Sequence, residues 1–321
     1  MATIKFNNDV RLIISDVDET IADVYVDAGA EMIKELEKLL VEGKVLFLIS
    51  GQSIKNICRR ITDHILPELR KKIIIGHCSG SEVWGFGETG HLRKEPYYSV
   101  YDSSINELQK KKWREIIKQL IAEFKLEIFG TMPIPDFRKK TNENPLAVMF
   151  DDRGPQITFD VVNGYDLQPD KVNQLEVKIP ETHGSYDLRV PILKRAQKLL
   201  RKENLPVTPR LAGVFAIDFA IKGVSKTTSV KKILENKKLL SQLGLNKEIL
   251  SDPLHLEVWG DKFSALRGGT DRHISEALPK KVRSITFREE NPDEFPKGYN
   301  IVVWDGIKHL HHGLLEFLKS R

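Results

Sequence analysis

The chain has 321 residues, 40% of them hydrophobic and 30% charged, enough apolar matter for one large domain or two ordinary ones. Lys and Arg number 50 against 45 Asp and Glu, a net charge of +5. That is too mild and mixed to argue for nucleic acid by itself, though it suits an anionic small substrate. The two cysteines, Cys58 and Cys78, cannot make a disulfide framework or a cysteine-only zinc site. No run approaches the roughly 18 apolar residues of a membrane span, and the N-terminus lacks the basic-then-apolar pattern of a secretory leader. The expectation is a cytoplasmic, soluble, globular protein.

Leu12–Ser15 is a short apolar run that stops at an acidic cluster, the pattern of a buried parallel strand with polar groups at its carboxyl end. Met32, Ile33, Leu36, Leu39 and Leu40 recur at one-face helical spacing up to Gly43. Val45–Ile49 is a second strand ending at Ser50. Ile54, Ile57, Cys58 and Ile61 make a second helical stripe, and Ile73–Ile75 a third strand. This alternation argues a right-handed parallel α/β layer.

Residues 91–109 are polar and turn-rich. Trp113, Ile116, Ile117, Leu120, Ile121 and Phe124 predict a long helix. Leu146–Phe150 and the alternating Ile157, Phe159 and Val161 predict antiparallel strands about a turn at 151–155. A helix over Ile192–Leu200 and a strand over Val214–Ile221 complete an α+β module. The α/β grammar then returns, with helices near Thr228–Leu234 and Gly313–Leu318 and strands near His255–Trp259, Val282–Phe287 and Ile301–Trp304. The organisation is one α/β core, residues 1–90 and 222–321, with an α+β insertion over 91–221.

Four places carry chemistry. Asp16 and Asp18, two apart just beyond a buried strand, share the crevice where open α/β sheets bind ligands. Their repulsion calls for a counter-charge, most simply a hard cation, although an acidic loop capping a helix has the same composition. A calcium loop does not fit, because Thr20 and Ile21 stand where an acid and a glycine are needed. Ser50-Gly51 at the end of the second strand offers a hydroxyl and a helix start to a phosphate; a serine N-cap explains it as well. Lys226 opens a helix, where the dipole disfavours it unless an anion is near. Its setting is no P-loop, since Ser225 and Ala220 occupy the required glycine positions. Asp261 and Asp271 bring two more acids on a glycine-containing loop. Lys110-Lys111-Lys112-Trp113-Arg114 reads as a solvated helix face rather than a nucleic-acid patch.

Acid pair, serine, lysine and acid pair, in that order, resemble the haloacid dehalogenase superfamily of phosphotransferases. Asp16, Asp18 and Thr20 match its D-x-D-x-T loop, Ser50 its second motif, Lys226 its third, and Asp261 with Asp271 its fourth. The long stretch between Ser50 and Lys226 resembles the α+β cap of the Cof-like, sucrose-phosphatase-like and phosphomannomutase-like branch. Gly260-Asp261-Lys262 with Gly268-Gly269-Thr270-Asp271, and Ile217-Asp218-Phe219, look closest to the phosphomannomutases. Three features depart from that pattern: Glu19 replaces a glycine, Thr270 replaces an asparagine, and the cap segment around Arg153 keeps at most one of the mutase arginines.

The resemblance implies a Rossmann-like core with a parallel sheet and an inserted cap that chooses the substrate. It implies Asp16 as nucleophile forming an aspartyl-phosphate, and Asp18 as general acid and base. Ser50 and Lys226 would stabilise the transferring group, with Thr20 and Gly51 at the phosphate. Mg2+ would be held by Asp16, the Asp18 carbonyl, Asp261 and Asp271. Arg153, Asn163 and Asp218, on or beside the cap strands, are the substrate-binding candidates. The implied activity is hydrolysis of a small phosphorylated metabolite, a sugar phosphate first; a phosphohexomutase and a non-catalytic binding protein are the alternatives.

Overall fold

The computed structural model describes residues 4–321 apart from 174, 177, 180, 183 and 184. Met1–Thr3, part of the stretch read against a secretory leader, lie outside the described residues. The chain divides into two compact units: Met1–Ser99 with Val224–Arg321, and Val100–Gly223.

The first unit begins with β1 (Leu12–Ser15), α1 (Ala30–Val41), β2 (Val45–Ile49), α2 (Ile54–Arg60), β3 (Ile73–His77), β4 (Glu82–Gly85) and β5 (Tyr98–Ser99). The second unit contributes α3 (Tyr101–Ser104), α4 (Glu107–Glu123), β6 (Glu127–Phe129), α5 (Ile134–Thr141), β7 (Ala147–Asp152) and β8 (Gln156–Asp160). It continues with α6 (Pro169–Val172), β9 (Glu181–Thr182), β10 (Ser185–Tyr186), α7 (Arg189–Lys202), β11 (Val207–Ala212) and β12 (Ala216–Ile221). The first unit resumes with α8 (Lys226–Glu235), α9 (Lys237–Gln242), α10 (Lys247–Ser251), β13 (Leu256–Gly260), α11 (Arg272–Ser275), β14 (Arg283–Thr286), β15 (Ile301–Val303) and α12 (Leu310–Lys319).

The first unit is an α/β fold on one sheet, ordered β15-β14-β13-β1-β2-β3-β4-β5. Pairing is parallel from β15 to β3 and antiparallel from β3 to β5. Central strands are apolar on both faces because both faces are covered. Ile13, Leu46, Leu48, Ile75 and Trp259 point into one cluster, closed by Leu36 of α1 and Phe317 of α12. Their neighbours Leu12, Ile14, Phe47, Ile74 and Val258 point into the other, closed by Val230 and Ile233 of α8 and Leu239 of α9. The chain runs outward from β1 through β2 to β3, then returns to lay β13, β14 and β15 on the other side. The direction of winding therefore reverses at β1 and β13, and their carboxyl ends border the crevice such a reversal creates.

The second unit has a five-stranded sheet, β11-β12-β8-β7-β6, antiparallel except between β6 and β7. On α4, Trp113, Ile116, Ile117 and Leu120 are buried, the one-face spacing of an amphipathic helix. The helix starts in a reciprocal capping box between Asn106 and Gln109. Trp113 is fully buried, Lys110 pairs with Asp102 and Glu107, and Arg114 with Asp152, so the basic run is answered by local acids. The strand expected from Val214 begins at Ala216, and its partner β11 was not foreseen. Residues 91–109, read as turns, hold β5, α3 and the start of α4. Among the described residues, no helix is long and apolar enough to cross a membrane.

Phe317 is fully buried and its ring stands 5.3–6.3 Å from those of Phe6, Trp259, Phe287 and Trp304. Phe317→Ala is expected to cost about 3–5 kcal/mol, read as a lower denaturation midpoint with an unchanged m-value. A midpoint within error of wild type would contradict the packing described.

Candidate active site

The carboxyl ends of β1, β2 and β13 and the first turn of α8 bring together residues far apart in sequence. The Asp16 amide continues the ladder past β1 by donating to the Trp259 carbonyl at 3.0 Å, and the Ser50 amide donates to Gly76 at 3.0 Å. Lys226 is the first residue of α8, which Ser225 caps by accepting from the Thr228 amide.

The centre is a buried charge cluster. Lys226 Nζ donates to Asp16 Oδ1 at 2.5 Å and to Asp271 Oδ1 at 2.7 Å. Asp271 Oδ2 accepts the amides of Asp261 and Lys262, both at 3.0 Å, which fixes the loop after β13. That approach needs Gly260, where a Cβ would stand 2.8 Å from Asp271 Oδ2 and from the Phe263 ring. Asp16, Asp261 and Asp271 each offer an oxygen within 4.8 Å of the others. Among the described residues this is the sole group of acids, histidines or cysteines so placed; His309, beside the last helix, pairs with Glu289 instead.

Burial pushes the Asp16 carboxyl well above its usual range. Lys226 opposes this, and Asp271, Asp261 and Asp18 reinforce it. Asp261 is pushed up to about 7, by burial first and then by Asp271, against the pull of Lys262 and Arg288. Burial disfavours the Lys226 charge, but Asp16 and Asp271 outweigh it and hold the ammonium above its ordinary value. Three carboxyl groups side by side, all hard oxygen donors, fit a divalent cation of the magnesium or calcium kind.

Asp18 is turned away from that group. Its Oδ1 accepts from Arg60 Nη1 at 2.7 Å and its Oδ2 from Ser50 Oγ at 2.8 Å. Ser50 therefore spends its proton on Asp18, while its oxygen accepts the Gln52 amide at 3.0 Å. The N-cap alternative for Ser50 goes to Ser53, which accepts the Asn56 amide. Thr20 Oγ1 is buried without a partner among the described residues, a cost that a bound oxygen would relieve. A Cβ on Gly51 would stand 4.0 Å from Ser79 Oγ, so the position tolerates a side chain.

The remaining candidates lie in the second unit. Arg153 Nε donates to Asp151 at 2.8 Å. Asn163 Nδ2 donates to Thr141 Oγ1 and to the Asn144 carbonyl, while its Oδ1 is buried without a partner among the described residues. Asp218 accepts from Thr158 Oγ1 at 2.9 Å and lies 3.9 Å from Arg210.

Arg60 and Arg288 escaped the sequence reading. Arg60 is fully buried and also donates to the carbonyls of Val26 and Asp23. Its signal was a guanidinium three residues past Ile57, on the apolar stripe of α2. Arg288 donates to Asp261 Oδ2 at 2.8 Å and to Glu19; it follows β14 with no local mark. Arg60→Met removes the cation that faces Asp18 and the guanidinium donors to the Val26 and Asp23 carbonyls. It is expected to cost about 3–5 kcal/mol, measured by chemical denaturation; a loss under about 1 kcal/mol would mean that Arg60 does not hold Asp18.

No family model matches the sequence, and no curated protein matches it. Solved structures do. A haloacid dehalogenase-like hydrolase from Bacteroides thetaiotaomicron superposes with a TM-score of 0.57 at 13% identity, covering 97% of this chain and 98% of that one. A protein from Eubacterium rectale gives 0.50 at 13% identity, covering 97% and 99%. At such identities the likeness speaks for the fold: the chain has the haloacid dehalogenase-like fold.

Proposed function

We propose that the chain is a Mg2+-dependent phosphomonoester hydrolase of small phosphorylated metabolites that works through a phosphorylated Asp16. The observation that carries this is the Asp16 carboxylate: it stands at the end of β1, 2.5 Å from Lys226 Nζ, and is grouped with Asp261 and Asp271. A carboxylate can approach a phosphate only where cations neutralise both. Lys226 is one such cation; Mg2+ held by Asp16, Asp261 and Asp271, with the Asp18 carbonyl, would supply further neutralisation of the phosphate oxygens.

In this reading an Asp16 oxygen bonds to phosphorus as the bond to the alcohol oxygen breaks, and Asp18 gives that oxygen a proton. Asp18 then takes a proton from the water that attacks phosphorus, which releases phosphate and restores Asp16. Asp18 comes to this role by exchanging its bonds to Arg60 and Ser50, and the freed Ser50 hydroxyl then donates to a phosphoryl oxygen. Thr20 and the Gly51 turn complete the phosphate contacts. Substrate choice falls to the residue 100–223 unit, where Asp218 with Thr158 and Arg210 forms a polar group suited to hydroxyls. Arg153 and Asn163 are engaged inside that unit, which supports hydrolysis over a mutase that must grip a second phosphate. Sugar and polyol phosphates are the first substrates to screen. A reducing, cytoplasmic setting suits Cys58 and Cys78, which form no disulfide with each other.

Asp16→Asn is expected to lower phosphate release by several powers of ten while melting close to wild type, since Lys226 keeps Asp271. Release at the wild-type rate over a panel of phosphorylated metabolites with Mg2+ would refute the assignment.

The raised Asp261 fixes a second sign. The folded state holds a proton there that the unfolded chain has lost between about pH 4 and 7, so this group's contribution to stability declines as pH rises through that window. A cation must displace the same proton. Mg2+ at one fixed concentration, a hundred times its Kd at pH 8, is expected to add about 2.7 kcal/mol at pH 8 and distinctly less at pH 5.5. Equal shifts in Tm at the two pH values would contradict it.

A further inference from the structure

Glu19 holds a left-handed conformation, φ 61°, which costs a residue with a Cβ roughly 1–2 kcal/mol and which glycine adopts freely. Its carboxylate explains why a side chain is nevertheless kept there. Glu19 Oε2 accepts from Arg288 Nη2 and, at 3.3 Å, from Lys262 Nζ. Both cations also face Asp261. Arg288 donates to Asp261 Oδ2 from Nη2 at 2.8 Å and from Nε at 3.1 Å, and Lys262 Nζ lies 3.7 Å from the same oxygen. Left to themselves, two cations on one carboxylate would cancel the charge that a divalent ion needs. Glu19 stands outside the three-acid group yet contacts both of the cations that crowd it.

We propose that Glu19 is a positioning residue: its carboxylate holds Arg288 and Lys262 back from full neutralisation of Asp261 and so sets the divalent-cation affinity of the Asp16–Asp261–Asp271 group. The inference rests on the reading of that group as a cation site. Arg288 and Lys262 each reach both Glu19 and Asp261, so without Glu19 both cations lose the carboxylate they share with Asp261.

Calorimetric titration of the full chain with Mg2+ alone tests this. Glu19→Gln is expected to raise Kd about tenfold, the scale of one close charge in a partly screened site. Because Glu19 acts through Arg288, the same substitution in an Arg288→Met background should raise Kd by much less. Glu19→Gly, which places a glycine at the left-handed position, should melt no lower than wild type without metal yet bind Mg2+ as weakly as Glu19→Gln. A Glu19→Gln affinity within twofold of wild type, or an equal effect in both backgrounds, overturns the inference and leaves the cation site standing. A wild-type chain that takes up no Mg2+ removes the site itself and the inference with it.

Discussion

The site depends on one buried ammonium. Lys226 is 4% exposed, and an isolated charge at that depth would be prohibitive. It is tolerable because Asp16 and Asp271 close on it from two directions. Neither partner is near it in the chain, so the pairing exists only when β1, the loop after β13 and the start of α8 are all in place. The reversal of winding between β1 and β13 makes this possible: it sets two adjacent parallel strands to end at the same edge with no crossover helix between them. Asp271 extends the arrangement by spending its second oxygen on the amides of Asp261 and Lys262, which ties the loop's backbone to the same charge.

A second network surrounds Asp18. Arg60 reaches from the end of α2 to the Asp18 carboxylate and to two carbonyls of the loop that follows, while Ser50 donates from the end of β2. The first loop is thus held by groups from its two neighbours in the sheet order, β13 through the Trp259 carbonyl that accepts the Asp16 amide and β2 through Ser50. The two acids of the D-x-D pair consequently have different surroundings. Asp16 is enclosed with a lysine and two further acids, and its carboxyl is pushed up. Asp18 is in contact with a guanidinium and a hydroxyl. Two carboxylates two residues apart can take different roles when the fold separates their environments in this way.

Much of this was legible in the sequence, for identifiable reasons. β1, β2 and β13 are fully buried; β1 and β2 read as apolar runs that stop at polar residues, while β13 is broken by Glu257, whose charge pairs with Arg283. α4 shows its buried face as a clean one-face stripe. β11 was illegible because Pro209 interrupts it; a proline is tolerated there because β11 is an edge strand. Residues 91–109 hid β5 and α3 because elements of two and four residues leave no periodicity to read. At the site, Asp16, Lys226, Asp261 and Asp271 could be found because each sits where a strand ends or a helix begins. Arg60 and Arg288 could not, because what makes them matter is the carboxylate each meets, 42 and 27 residues away, and no local pattern encodes that partner.

The point at which the second unit is inserted follows from the same sheet. Residues 100–223 leave the first unit after β5 and rejoin it before α8. Tyr98 of β5 packs against the same apolar cluster as Val230 and Ile233 of α8, so the first unit closes on itself where the insertion departs and returns. An insertion between two points already held together adds little strain, and the entropy of closing a longer connection grows only with the logarithm of its length. A shorter loop at this point would leave Asp16, Lys226, Asp261 and Asp271 where they are, since every contact among them is made inside the first unit. The charge cluster and the inserted sheet are therefore separable in their construction: the first is fixed by strand order, and the second is free to vary in what it presents.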